Sequence, residues 1–287
     1  MIKIMVDSTC DLPESIIKTY DIRVLPLKIS LEGKEYRDKE TIQVDEVYAA
    51  MRRGIIPRTS LPNPRDIYAM FEDYCTKGQD FIYLAFSSAL SGTCQLACSI
   101  LKEFKARYPL INMKVIDTKA GSAATGLIAL RTLKLIKSGC SFTGIVEKVQ
   151  ELAKGVEHIF TVADLNWLVK GGRLSKAKGL IGSILDIKPI IHVNDGYMEV
   201  IKKVRGGKKV LETIVDIMAE RGASLKNQII GISYAADAAI SEQMKELIRE
   251  RLGCNNFMIN KIGSVLAAHL GIGGVGVFFF NKNVPVL

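Results

Sequence analysis

Phe81-Ile82-Tyr83-Leu84-Ala85-Phe86, followed at once by Ser87-Ser88-Ala89-Leu90-Ser91-Gly92-Thr93, decides how this chain is read. The first six residues are a short apolar run bounded by polar residues, the pattern of a strand buried on both faces. Beyond the hydroxyl-rich turn, Cys94, Ala97, Cys98, Leu101 and Phe104 recur at helical spacing towards Tyr108. Strand, turn and helix therefore follow one another. In an open parallel sheet, ligands gather beyond the carboxyl ends of the strands, where a helix N-terminus offers free N–H groups and a positive dipole end. Ser91, Gly92 and Thr93 are expected to face a small anionic group. The competing reading is that the serines only cap the helix.

The same alternation extends to both sides. Residues 2–6 and 23–30 read as strands, Val44, Val47, Tyr48 and Met51 mark a helix, and residues 113–116 form a strand leading into an Ala- and Leu-rich helix. Strands and helices in turn argue for a parallel sheet covered on both faces. Asp11, Pro13 and Glu14 fit a capping box with proline in the first turn, the sharper alternative being a metal held by Asp7 and Asp11. In Arg58-Thr59-Ser60-Leu61-Pro62-Asn63-Pro64, two prolines stiffen a loop carrying hydroxyls, which suits ligand contact, and Asn63 with Pro64 starts a helix.

The character changes near Gly155. Residues 187–193 and 197–201 flank Asn194-Asp195-Gly196, a strong hairpin signal, so the second half contains antiparallel pairing. The expected fold is α/β in two domains: residues 1–157 with a parallel sheet, and residues 158–287 with a mixed or antiparallel sheet. Near the end, His269 stands beside Gly271, Gly273, Gly274 and Gly276. These glycines resemble a dinucleotide loop only superficially, because they open a strand rather than a helix.

Composition narrows the function classes. Hydrophobic residues make up 48% of the 287, as in a well-packed globular protein. Asp7 comes too early for a signal peptide, and no run approaches the ~18 apolar residues of a membrane span. A soluble, cytoplasmic protein is expected. The six cysteines show no C-x-x-C pair and read as reduced packing residues; Cys94 and Cys98 share a helix face, but without a histidine nearby no metal is expected. Of the net charge of +9, much lies in residues 170–209, with ten basic against three acidic residues. That segment predicts a basic face able to meet nucleic acid, a membrane surface or an acidic protein.

Several motifs now stand in one order: Asp7-Ser8-Thr9 before Asp11-Leu12-Pro13, Thr59-Ser60 before Pro62 and Pro64, Ser87-Ser88 with Leu90-Ser91-Gly92-Thr93, and Gly171-Gly172-Arg173 before Ile187-Lys188-Pro189. With Asp195-Gly196, Lys203-Val204-Arg205 and His269, the set resembles the DegV family from end to end. The resemblance implies two α/β domains enclosing a long-chain fatty acid. It also implies a carrier without catalytic residues or a cofactor, like the FakB-like members that present the acid's carboxyl to a separate ATP-dependent kinase subunit, which makes the acyl phosphate. By this resemblance Thr59, Ser91 and His269, with Gly92 and Thr93, hold the carboxyl, and Arg173 and Arg205 dock the kinase. No nucleic acid, and at most transient membrane contact, is implied. Leu61, Leu270 and Ile272 depart from the family's usual Gln, Thr and Pro, which bears on the head-group environment and acyl preference.

The implied chemistry is coherent. A buried carboxylate needs several donors, which Thr59, Ser91, a backbone N–H and His269 can supply. The tail supplies the affinity: at about 0.8 kcal/mol per methylene, ~16 carbons gain on the order of 11 kcal/mol gross. The rival is a serine-dependent acyl hydrolase or transferase using Ser91 and His269, against which stands the missing G-x-S-x-G elbow. A third reading, a nucleic-acid binder, rests on the basic segment alone.

Overall fold

The computed structural model describes residues 2–174 and 187–282. Lys176, Lys178 and Asp186 of the basic segment lie outside the described residues. The first half runs β1 (Lys3–Asp7), α1 (Glu14–Thr19), β2 (Arg23–Leu25), β3 (Lys28–Leu31), β4 (Lys34–Arg37), α2 (Val44–Arg52), β5 (Arg58–Ser60), α3 (Pro64–Thr76), β6 (Phe81–Ala85), α4 (Thr93–Arg107), β7 (Met113–Asp117), α5 (Ser122–Lys137) and α6 (Phe142–Gly155). The second runs β8 (Val156–Val162), α7 (Asn166–Lys170), β9 (Ile187–Asn194), β10 (Tyr197–Arg205), α8 (Gly207–Arg221), β11 (Ile230–Tyr234), α9 (Ala239–Leu252), β12 (Phe257–Lys261), α10 (Ser264–Leu270) and β13 (Gly274–Phe280).

The expected parallel sheet is present, in the order β2-β1-β6-β7. Every residue of β6 is buried because both faces are covered. Ile82 and Leu84 pack with α5 and α6, while Phe81, Tyr83 and Ala85 pack with Phe71, Ala97 and Phe104 of α3 and α4.

Two local expectations need correction. Residues 23–30 are not one strand: β2 ends before Pro26, which has no N–H to continue the ladder, and β3 joins a separate antiparallel sheet, β4-β3-β5. The capping box at Asp11 does not form; α1 has no side-chain cap. By contrast, Asn63 caps α3 through the Arg65 N–H with Pro64 as its first residue. The Asn194-Asp195-Gly196 hairpin also forms, with Asp195 and Gly196 both at positive φ, 45° and 84°, as a tight two-residue turn demands.

The second sheet has the order β10-β9-β8-β13-β11-β12 and is mixed, with β11 and β12 as its parallel pair. Helix α5 lies between the two sheets, and its small residues allow the approach. A Cβ on Gly231 of β11 would stand 3.0 Å from the Ala123 Cβ, and one on Gly126 would stand 3.1 Å from both Leu12 and Met258. Asp11 ties the halves together instead of capping α1. Its carboxylate accepts from the Ser122 hydroxyl at 2.5 Å and the Gly263 N–H at 3.0 Å, while its carbonyl accepts from Asn260. Burial pushes the Asp11 carboxyl up to about 6, against the pull of Lys39 and these hydrogen bonds.

Candidate functional site

The turn after β6 is held by the ends of both neighbouring strands. Asp7, the last residue of β1, accepts from the Phe86 N–H at 2.8 Å and the Tyr83 hydroxyl at 3.1 Å. Asp117, the last residue of β7, accepts from the N–H and hydroxyl of Ser88. Ser87 donates to the Gly196 carbonyl at 3.1 Å, so the turn also touches the hairpin of the second half. Two carboxylates and a cross-half bond thus fix a loop that sequence alone shows only as polar.

Around this loop lies a mouth lined by Leu27, Thr59, Ser60, Leu61, Ser91, Gly92, Arg173, Val265 and His269, among others. β5 brings Thr59 and α10 brings His269, and the Thr59 Oγ1 to His269 Nε2 distance is 2.8 Å. The Ser91 hydroxyl pairs with the Thr93 hydroxyl at 2.9 Å and accepts from the Thr93 N–H at 3.3 Å, just ahead of α4. Gly92 precedes α4 with no side-chain cap over the helix end. Ser91, Thr59 and His269 are half-buried, Gly92 is exposed and Thr93 is buried. Burial, then the Arg173 charge, pushes the His269 imidazole down to about 4, so the ring is neutral at pH 7.

The mouth opens inward. Phe86, Leu90, Met198 and Leu266 line both the mouth and a second, inner cavity. That cavity is apolar, with Phe160, Val162, Val193, Ile262, Leu270 and Phe278 among its walls, and both halves contribute to it. Glycine shapes the junction twice. A Cβ on Gly171 would sit 2.4 Å from His269 Nδ1, and one on Gly121 would sit 2.4 Å from the Phe86 ring.

All five residues expected at an anionic head group therefore cluster in space, four lining the mouth and Thr93 beneath Ser91. The two arginines separate. The Arg173 side chain lies in the mouth, donating to the carbonyls of Leu90 at 3.2 Å and Gly171 at 2.5 Å. Arg205 is exposed at the end of β10. Leu61 is exposed on the rim, where a Cβ on Gly92 would touch it at 3.6 Å, and Leu270 faces the inner cavity. Sequence reasoning missed the neck, Phe86, Leu90, Met198 and Leu266, because no local pattern separates a cavity wall from ordinary core.

Ser91 does not meet His269; Thr59 does, and His269 Nδ1 has no carboxylate or other hydrogen-bond partner among the described residues. A nucleophile, base and orienting acid are not assembled. Among the described residues, no group of three or more His, Cys, Asp or Glu is placed to hold a metal, and no helix is long and apolar enough to cross a membrane.

Comparison with known proteins decides the family. The family described as "Uncharacterised protein, DegV family" matches residues 1–282. The chain belongs to the DegV family. A DegV domain-containing protein of Clostridium perfringens is 36% identical over 281 residues, covering 97% of each chain. Among solved structures, a fatty-acid-binding DegV family protein from Thermus thermophilus is 29% identical with a TM-score of 0.88, covering 98% of this chain and 99% of its own. A stearic-acid-binding protein from Eubacterium ventriosum is 26% identical with a TM-score of 0.90, covering 99% of each. DegV of Bacillus subtilis, a fatty-acid-binding protein, is 28% identical with a TM-score of 0.84, covering 98% of this chain and 99% of its own.

Proposed function

We propose that this DegV protein is a carrier of long-chain fatty acids that buries the acyl chain between its halves, residues 1–157 and 158–287, and holds the carboxyl at the mouth. The observation that carries this reading is the continuity of a polar mouth with an apolar cavity through Phe86, Leu90, Met198 and Leu266. A fatty acid has that same polarity along its length. The hydroxyls of Thr59 and Ser91, His269 and the N-terminus of α4, whose first N–H already donates to Ser91, supply the donors that a half-buried carboxylate requires, with Gly92 and Thr93 shaping that end. The Arg173 guanidinium adds the compensating charge.

The exposed rim at Leu61 and Gly92 leaves the head group reachable from outside. This supports presentation of the carboxyl to a separate ATP-dependent kinase subunit, with Arg205 on the docking surface and Arg173 between that surface and the head group. The six unpaired cysteines suit a reducing cytoplasm. Mass spectrometry of an organic extract of the purified protein tests the carrier reading directly. A stoichiometric long-chain acid is the expected result; an extract without acyl chains, from protein that also fails to bind added stearate, defeats it.

A further inference from the structure

The wall of the inner cavity holds one polar ring that the carboxyl site does not use. β8 carries His158 on the face it shares with Val156 and Phe160, towards α5. His158 is buried, lines the cavity, and stands edge-on to Phe278 with ring centroids 5.7 Å apart. Neither ring nitrogen has a hydrogen-bond partner among the described residues. Desolvation, reinforced by His192, pushes its pKa down to about 3, so the ring is neutral at pH 7. The Val156 carbonyl lies near enough to oppose that shift without meeting hydrogen-bond geometry.

A neutral imidazole presents one N–H and one lone pair. Even if the N–H leans towards Val156, the lone pair has no donor, whichever tautomer is present. The residues beside it on that face are apolar, and a phenylalanine would fill the space without leaving an orphaned acceptor. Of the hydroxyl side chains among the cavity's lining residues, Ser122 is already engaged with Asp11 and Ser233, while that of Thr161, which alternates to the opposite face of β8 from His158, has no partner among the described residues. A buried acceptor without a partner is costly, and a ligand that supplies the partner recovers that cost.

We infer that His158 is a specificity-determining residue that pairs with a hydroxyl carried within the acyl chain, so that the cavity prefers a hydroxylated long-chain acid to the plain one. This inference rests on the acyl-carrier reading. A hydroxyl both donates and accepts, so it fits either tautomer, whereas a keto oxygen can only accept. The preference depends on position, because a hydroxyl buried elsewhere in an apolar cavity is itself unpaired.

The test titrates the full, delipidated chain with stearate and with hydroxystearates bearing the hydroxyl at successive carbons. One isomer, or two adjacent ones, should bind about fivefold or more tighter than the remaining isomers, the worth of one hydrogen bond. In His158→Phe that preference should vanish while stearate is still held. Nitrogen-15 spectra of the wild type, which has three histidines, give a readout that needs no variant: the favoured isomer should shift the His158 ring signals and stearate should not. A preference unchanged by His158→Phe, or ring signals identical with stearate and every hydroxystearate, overturns the inference alone. Failure of stearate itself to bind overturns the carrier reading and the inference with it.

Discussion

His269 sits where three constraints meet: Thr59 on its Nε2, Gly171 against its Nδ1, and Arg173 beside it. Gly171→Ala would put a Cβ 2.4 Å from Nδ1 and 3.0 Å from the Trp167 carbonyl oxygen at an ordinary φ of −71°, so the conflict is one of packing, and the imidazole must move. Overpacking of this kind costs about 1–3 kcal/mol, and we expect roughly a tenfold loss of fatty-acid affinity with a small change in melting temperature. Isothermal titration beside a melting curve distinguishes the two effects. Ser91→Ala and His269→Ala should likewise lower affinity more than stability, and unchanged binding in both would remove them from the head-group site. A carboxylate lodged beside the ring favours the imidazolium, so the His269 pKa should rise from about 4 when lipid is bound, as a titration followed by NMR would show.

Among the elements, α5 carries the largest architectural burden, since its small residues let two sheets approach one helix. Its Ala- and Leu-rich composition marks it in sequence as a helix, and its first half, residues 122–129, is buried throughout. That it would be shared between two sheets was not legible, because Gly231 and Met258 are far away in the chain. Ala123→Leu pushes extra atoms against Gly231 of β11, and we expect a loss of about 1–3 kcal/mol in denaturant unfolding. If stability is unchanged, the contact between sheets is looser than the 3.0 Å approach implies. The β5 strand makes the complementary point: its three residues are hardly a strand by propensity, yet pairing with β3 fixes where Thr59 points.

At the scale of the whole molecule, the halves are joined by buried titratable groups whose effects on stability oppose one another. Asp11 has a folded pKa of about 6 against an ordinary 3.8, so the stability it contributes is fully present below about pH 4 and is lost as pH rises through 6. His158 and His269, at about 3 and 4 against 6.5, contribute stability present above pH 6.5 and lost as pH falls through those values. Burial raises the Asp7 and Asp38 carboxyls as well, and these act in the same direction as Asp11, so each group is read from the difference between its variant and the wild type. Relative to the wild type, Asp11→Asn should make the slope of unfolding free energy against pH more positive between about pH 4 and 6, and His158→Phe should make it less positive between about pH 3 and 6.5; chemical denaturation at several pH values checks both. Docking also belongs to this scale. Arg205→Glu should retain lipid while lowering acyl-phosphate formation with a kinase subunit at least severalfold, whereas Arg173→Glu should lose lipid as well, because only Arg173 enters the mouth.

The sequence by itself determined the strand–turn–helix at residues 81–107, the parallel first sheet, the hairpin at Asp195 and Gly196, and the residue types able to meet a carboxylate. Each is a local pattern, written in periodicities of two and 3.6 and in turn chemistry. Tertiary structure decided that Thr59 meets His269 rather than Ser91 meeting it, that Arg173 turns into the mouth, that Asp11 ties the halves instead of capping a helix, and that His158 faces a cavity. The partners in those contacts lie far apart in the chain, as Thr59 and His269 do at 210 residues, and no local periodicity carries that distance.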